Sequence, residues 1–126
     1  MSSLAAKIRS QKFVVTSELT PPKGTDLSDL LAKAQALRSH VDAFNLTESH
    51  RARMATAPTP VARLLLERGI EPIVQMTARD RNRIAFQADL LGASVLGVRN
   101  FIFMGGDPPA APPLLGRHSQ IGRAHV

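Results

Sequence analysis

The chain has 126 residues, a formal net charge of +6, 44% hydrophobic residues and no cysteine. This length suits one compact domain but not a complete (β/α)8 barrel, which takes about 250 residues. The absence of cysteine excludes disulfides, thiolate metal sites and a cysteine nucleophile. No run of about 18 apolar residues exists, so we expect no membrane span. Residues 1–13 lack the apolar region of a secretory signal, so we expect a cytoplasmic protein.

The positive charge comes mostly from arginines that are spread along the chain. Trp and Tyr are absent and the five Phe do not alternate with basic residues, so a stacking platform for nucleic acid is poorly supported. Solvated helix faces and anion contacts explain the charge better. The four histidines show no ligand spacing, so we expect no metal site. A non-enzymatic basic binding module remains an alternative.

The first predicted strand covers residues 13–18, a β-rich run. It must end before Pro21 and Pro22, because proline lacks an N–H and restricts the residue before it. Thr25 or Asp26 is expected to cap the helix that follows.

The second predicted strand covers residues 41–47, and the helix after it has Pro60 in its first turn and Gly69 just past its end. Residues 70–77 form the third predicted strand. Asp80 is expected to open a further helix that ends near Gly92 or Gly97. The fourth predicted strand, residues 101–104, is closed by a Gly-Gly-Asp-Pro-Pro turn.

The order β-α-β-α-β-α-β with short links predicts an α/β fold with a parallel sheet. An open doubly wound sheet would also fit, but the first strand leads into Pro-Pro and no G-x-G-x-x-G is present. We therefore favour a truncated (β/α)8 TIM barrel, comprising its first four parallel strands with the intervening helices. Residues 1–109 form this half-barrel and residues 110–126 an irregular tail. The outer strands would present open edges, so we expect the 126-residue chain to be inactive alone.

Polar residues stand where each predicted strand ends. In parallel α/β folds, ligands bind at the carboxyl ends of the strands. Glu18 could instead be a surface carboxylate, but it lies at the end of an expected buried strand, which favours function. Thr47 could equally satisfy a loop amide, and the turn at Asp107 could be purely structural. The candidate site residues are Glu18, Thr47, Gln75, Thr77, Gly106 and Asp107.

These motifs, in register over residues 13–109, resemble the methylenetetrahydrofolate reductase family. The segment E-L-T-P-P-K at Glu18 resembles the family's E-x-x-P-P-K opening strand, and Asn45-Leu-Thr47 resembles its V-T element. Gln75-Met-Thr77 followed by R-D-R-N-R is similar to the third-strand segment of a bacterial branch. The segment F-M-G-G-D-P-P, which contains Asp107, resembles the L-R-G-D-P-P motif.

The resemblance implies reduction of 5,10-methylenetetrahydrofolate to 5-methyltetrahydrofolate, with a bound flavin that takes hydride from NAD(P)H. The flavin is usually FAD, and FMN remains open. Glu18 would be the general acid that helps to open the methylene bridge, its pKa raised by an apolar pocket. Asp107 would tune the flavin ring, while Thr47, Gln75, Thr77 and Gly106 would line the flavin site.

The resemblance further implies a folate substrate and a homo-oligomeric full-length parent. Another pterin- or folate-binding barrel enzyme is the closest alternative. Two residues depart from the family pattern, because Gln75 stands where many members have His and Gly105 where many have Arg.

The end of the chain has no helix or strand pattern. The peptide of residues 121–126, I-G-R-A-H-V, is what ATCGGAAGAGCACACGTC encodes, and this string resembles a sequencing adapter. We therefore predict that these residues are adapter read-through, with Gln120 at the junction, and that residues from about Gly116 onward make no packed contacts.

Overall fold

The computed structural model describes residues 1–108 of the chain. Within them, four strands form one parallel sheet in chain order. The strands are β1 (Thr16–Leu19), β2 (Ala43–Leu46), β3 (Pro72–Thr77) and β4 (Phe101–Met104). The helices are α1 (Ser3–Arg9), α2 (Ser28–Leu37), α3 (Pro58–Glu67) and α4 (Arg83–Val95), with a short 3-10 helix at His50–Ala52.

Helices α2, α3 and α4 share one core with the sheet. Leu30, Val61 and Ala93, one from each helix, belong to the same buried cluster as Phe44 and Met76 of the strands. A doubly wound sheet would reverse its strand order and carry helices on both faces. Sequential parallel strands with these helices on one face are the arrangement of a (β/α) barrel. The predicted α/β fold, with the first four strands of a barrel, is therefore confirmed.

Because side chains alternate across a strand, the sheet has two chemically different faces. The face against the helices carries Leu19, Leu46 and Val74, which are all buried. The opposite face is polar toward the carboxyl ends of the strands. We call it the polar face; alternation places on it Glu18, Asn45, Thr47, Gln75 and Thr77.

Helix α1 is an element that the sequence analysis did not predict. The Ser2 hydroxyl accepts a hydrogen bond from an N–H of the first turn at 3.1 Å, which caps the helix. Leu4 packs with Ala43 and Ile73 and so covers the amino end of the polar face. With 7 residues, α1 is too short to display a repeated apolar spacing.

The first strand begins later than predicted. Residues 13–18 were expected in it, but β1 starts at Thr16, and the Phe13 side chain is 84% exposed. Pairing with β2 begins at Thr16, opposite Ala43, and defines the strand more strictly than β-propensity does.

Two predicted helix starts also shift. Asp80 does not open α4, because Arg79 binds its carboxylate at 2.7 Å. Asn82 caps the helix instead and accepts the Ala85 N–H at 2.8 Å. Ahead of α2, Asp26 accepts the Ser28 N–H at 3.0 Å without being the cap residue.

The second and third strands each begin two residues later than predicted, at Ala43 and Pro72, and other signals agree with the structure. Gly69 follows α3 with a φ of +69°, as expected for a glycine past a helix end. The fourth strand has its predicted bounds. Over the described residues, no helix has the length and apolar character needed to cross a membrane.

Candidate functional site

The carboxyl ends of the strands bring the predicted site residues to one rim of the sheet. Thr47 directly follows β2, and its N–H donates to the Leu19 carbonyl at the end of β1, at 3.1 Å. Gln75 and Thr77 lie at the end of β3, opposite Ile102 and Met104 of β4. Hydrogen bonding between parallel strands therefore places Thr47, Gln75 and Thr77 side by side on the polar face.

Glu18 lies on the same face but one row nearer the amino ends. It is opposite Asn45, and Asn45 is opposite Ile73. Its side chain is exposed, whereas the sequence analysis expected a buried strand and an apolar pocket around it. The reason is that β1 has only β2 as a neighbour within the described sheet, so Glu18 stands at an open edge.

Asp107 reaches the rim from the turn after β4. Its carboxylate accepts the Arg51 N–H from the loop after β2 at 3.1 Å. Its own carbonyl accepts Nη1 of Arg79, from the loop after β3, at 2.9 Å. The Gly-Gly-Asp turn thus lies across the ends of β2 and β3, which brings Asp107 to the same rim as Thr47 and Thr77.

Glycine is required at Gly106 by the protein itself. Its φ is +86°, and an added Cβ would lie 3.0 Å from Cβ of Arg79 and 3.3 Å from Cβ of Thr77. Gly106 was expected to line a flavin site, and the close approach seen in the structure is to Arg79 and Thr77. At Gly105, no described residue lies within 4 Å of an added Cβ, so the described part of the chain leaves room for a side chain there.

Three buried oxygen atoms on the polar face have no hydrogen-bond partner among the described residues. They are Oδ1 of Asn45, Oγ1 of Thr47 and Oγ1 of Thr77, and the two threonines are each only 2% exposed. Leaving a buried polar group unpaired costs about 1–3 kcal/mol, so such groups are kept where water or a ligand pairs with them. This set of unpaired oxygens is what a polar ligand at the rim would satisfy.

A network of charged side chains, centred on the buried carboxylate of Glu48, lies beside these oxygens and was not predicted from the sequence. Glu48 is 8% exposed, and its Oε2 accepts the Thr77 N–H at 2.6 Å and Arg81 Nη1 at 2.7 Å. Arg81 also donates from Nε to Asp89 of α4 at 2.7 Å. The carboxylates of Glu48 and Asp89 raise the pKa of Arg81 above its usual range, Glu48 contributing most.

This network fixes the ends of β2 and β3 relative to α4. A signal for it was present, since Glu48 directly follows Thr47 and Arg81 lies in the R-D-R-N-R segment. Spacing along the chain could not show that the two side chains meet.

The loop after β2 is strained. Ser49, Arg51 and Ala52 all have φ between +43° and +57°, a region that costs a non-glycine residue about 1–3 kcal/mol. The bond from Arg51 to Asp107 holds this loop in place. Strained backbone of this kind concentrates at functional sites.

Within residues 1–108, no three His, Cys, Asp or Glu side chains come together in a group that could hold a metal ion.

The sheet order and the packing of α2, α3 and α4 on one face define the chain as the first half of a (β/α) barrel, and the predicted site residues lie at the carboxyl ends of its strands. The sequence model of the family described as methylenetetrahydrofolate reductase matches residues 3–125. The chain therefore belongs to the methylenetetrahydrofolate reductase family, which makes it part of an oxidoreductase of folate metabolism. No curated protein matches the chain.

Proposed function

We propose that the protein containing this chain reduces 5,10-methylenetetrahydrofolate to 5-methyltetrahydrofolate with NAD(P)H and a bound flavin. The observation that carries the proposal is the set of unpaired oxygens on the polar face, Asn45 Oδ1, Thr47 Oγ1 and Thr77 Oγ1. They stand in the motifs that resemble those of the family.

The residues at the rim suit a flavin. When bound, the flavin supplies the hydride relay between NAD(P)H and the folate. Thr47 and Thr77 offer hydroxyls that both donate and accept, and Gln75 offers an amide with both functions, which matches a ring that carries carbonyl and N–H groups. Gly106 keeps Asp107 against the loop ends, where its charge can act on the ring. FAD is the expected form, with FMN as the other possibility.

Glu18 is proposed as the general acid. Its carboxyl donates a proton to a nitrogen of the methylene bridge while the carbon–nitrogen bond breaks, which leaves the iminium that accepts hydride. On the polar face, Glu18 lies one row nearer the amino ends of the strands than Thr47 and Gln75. An acid at this position would therefore face the end of a rim-bound ligand that points toward the amino ends. Positioned acid catalysis contributes about 10²–10⁴-fold to such a step.

Further expectations accompany the proposal. The parent protein would bind a folate as substrate and form a homo-oligomer, as the family resemblance implies, and the sequence of residues 1–13 favours a cytoplasmic location.

The test compares Glu18→Gln with the parent enzyme in full-length protein. Flavin should remain bound and be reduced by NAD(P)H, which a quinone acceptor would report, while folate reduction should fall by about 10²–10⁴-fold. Glu67→Gln, on the exposed face of α3, is the matched control and should turn over normally. Wild-type folate turnover by Glu18→Gln would refute the assignment of the acid. Failure of the parent to bind flavin would refute the function and would favour another pterin- or folate-binding enzyme.

A further inference from the structure

A cleft of about 310 Å³ lies beside the polar face, between the loop after β1 and the loop after β2. The apolar residues Pro21, Pro22 and Met54 line it. The basic residues Lys23 and Arg53 line it as well, together with His50. The proposed acid and flavin residues do not line this cleft, although Pro21, Pro22 and Lys23 belong to the segment that resembles the family's opening motif.

The cleft walls are tied together by hydrogen bonds. The Thr56 N–H donates to the Pro22 carbonyl at 2.8 Å, and the Thr56 hydroxyl donates to the Gly24 carbonyl. The prolines restrict the backbone of the first wall further. The cleft is therefore largely preformed, which lowers the entropy cost of binding.

The charge of the cleft has one sign. No carboxylate lines it, and the side chains of Lys23 and Arg53 make no ion pair with any residue in the described part of the chain. His50 adds an imidazole N–H donor. Apolar residues beside unpaired cations suit a flat group that carries negative charge.

The cleft also adjoins the proposed reaction site. Thr20 lines it and directly follows β1, so alternation places Thr20 on the same face as Glu18. A ligand with its reacting group at Glu18 could extend over Thr20 into the cleft.

We propose that this cleft binds the anionic end of a substrate, as an aromatic group that bears two or more negative charges. The inference rests on the proposed function, which offers two sources of that chemistry. One is the benzoyl-glutamate part of the folate, and the other is the phosphate-bearing adenosine of NAD(P)H.

The experiment measures binding to the 126-residue chain, because every cleft residue lies within it. The probes are p-aminobenzoyl-triglutamate and adenosine 2′,5′-bisphosphate, with uncharged p-aminobenzamide for comparison. Binding is followed by calorimetry and by NMR spectra of the chain labelled with 13C-methyl-methionine. The chain has 4 methionines, so few signals are expected. Met54 lines the cleft, whereas Met76 is 1% exposed in the core and serves as an internal reference.

At least one anionic probe should bind and shift the Met54 signal while Met76 stays in place. Lys23→Gln with Arg53→Gln should weaken this binding by about three- to tenfold at low salt. The matched control is Arg9→Gln with Lys12→Gln, which removes the same charge at exposed positions away from the cleft and should change binding by less than about twofold.

Whichever anionic probe binds identifies the source of the ligand. The proposal is overturned if neither binds, if the uncharged probe binds equally well, or if the control pair weakens binding as much as the cleft pair does. These readouts need no flavin and no turnover. If the full-length parent does not reduce the folate but the cleft still binds an anionic probe, the proposed function is refuted and the cleft assignment stands.

Discussion

The Glu48 carboxylate accepts the Thr77 backbone N–H at 2.6 Å, which joins the end of β2 to the end of β3. The same carboxylate pairs with Arg81 in the loop between β3 and α4. Glu48 therefore holds both this loop and the end of β3, where the hydroxyl of Thr77 has no partner among the described residues. The network makes the spacing of the rim depend on a buried ion pair.

Removing one partner of this pair should destabilise the chain. We expect Glu48→Gln to lower the free energy of unfolding by about 1–3 kcal/mol, because the buried Thr77 N–H and the partly buried Arg81 would both lose a charged acceptor. The double variant Glu48→Gln with Arg81→Met should cost less than the sum of the single changes. Urea unfolding measures both.

The control for that experiment is Glu67→Gln, which breaks the exposed pair with Arg63 on α3. It should change the free energy of unfolding by less than about 1 kcal/mol. Equal losses from Glu48→Gln and Glu67→Gln would contradict a structural role for the buried pair.

Gly106→Ala should destabilise the turn that carries Asp107. The φ of +86° disfavours a side chain, and the new Cβ would press on Cβ of Arg79 at 3.0 Å. We expect a loss of about 1–2 kcal/mol in thermal or urea unfolding. Gly105→Ala is the control and should be close to neutral, since its Cβ meets no atom of residues 1–108 within 4 Å. A larger loss at Gly105 than at Gly106 would argue against this geometry.

Replacing the unpaired threonines should separate stability from binding. Thr47→Val and Thr77→Val remove hydroxyls that have no partner in residues 1–108, so the unfolding free energy of the chain should hold or rise slightly. Flavin affinity of the full-length protein should fall, as measured by fluorescence titration. Thr56→Val, which loses the bond to Gly24, should instead reduce stability. Unchanged flavin affinity in both Thr47→Val and Thr77→Val would remove these residues from the flavin site.

Acid should weaken the anchoring of α1. The hydrogen bond from Lys7 and the Val15 N–H lower the pKa of Asp42 below its ordinary value of 3.8. The unfolded chain then binds more protons than the folded chain, so this contribution is present above the unfolded pKa and is lost as pH falls through the folded pKa. The window lies below about pH 4. Unfolding measured against pH should show a shallower acid limb in Asp42→Asn, and an identical limb would count against the coupling.

The tail hypothesis has a direct test in the coding DNA. Residues 121–126 should be encoded by the adapter string, with a stop codon directly after it, and reads of the genome should diverge at Gln120. The family match extends to residue 125 and includes this stretch, so a natural coding sequence there is the competing outcome. The expectation of an unpacked tail from Gly116 onward lies outside the described residues. Genomic reads that cross this point unchanged would end the hypothesis.

The sequence by itself determined the order of elements, the parallel sheet and the residues at each strand end. These depend on local properties that can be read along the chain: β-rich runs such as residues 101–104, prolines that stop a strand, and Gly69 past a helix. The short helix α1 was not predicted from the sequence, because its stability comes from packing of Leu4 against Ala43 and Ile73, which are distant in the chain.

Only the tertiary structure decided which polar groups meet and which remain unpaired. The Glu48–Arg81 pair joins residues 33 positions apart, and the cleft forms where the loops after β1 and β2 approach each other. The exposure of Glu18 likewise follows from the position of β1 at an edge of the described sheet. The pairing and burial of these side chains depend on distances through space. Hydrophobic periodicity along the chain does not predict those distances.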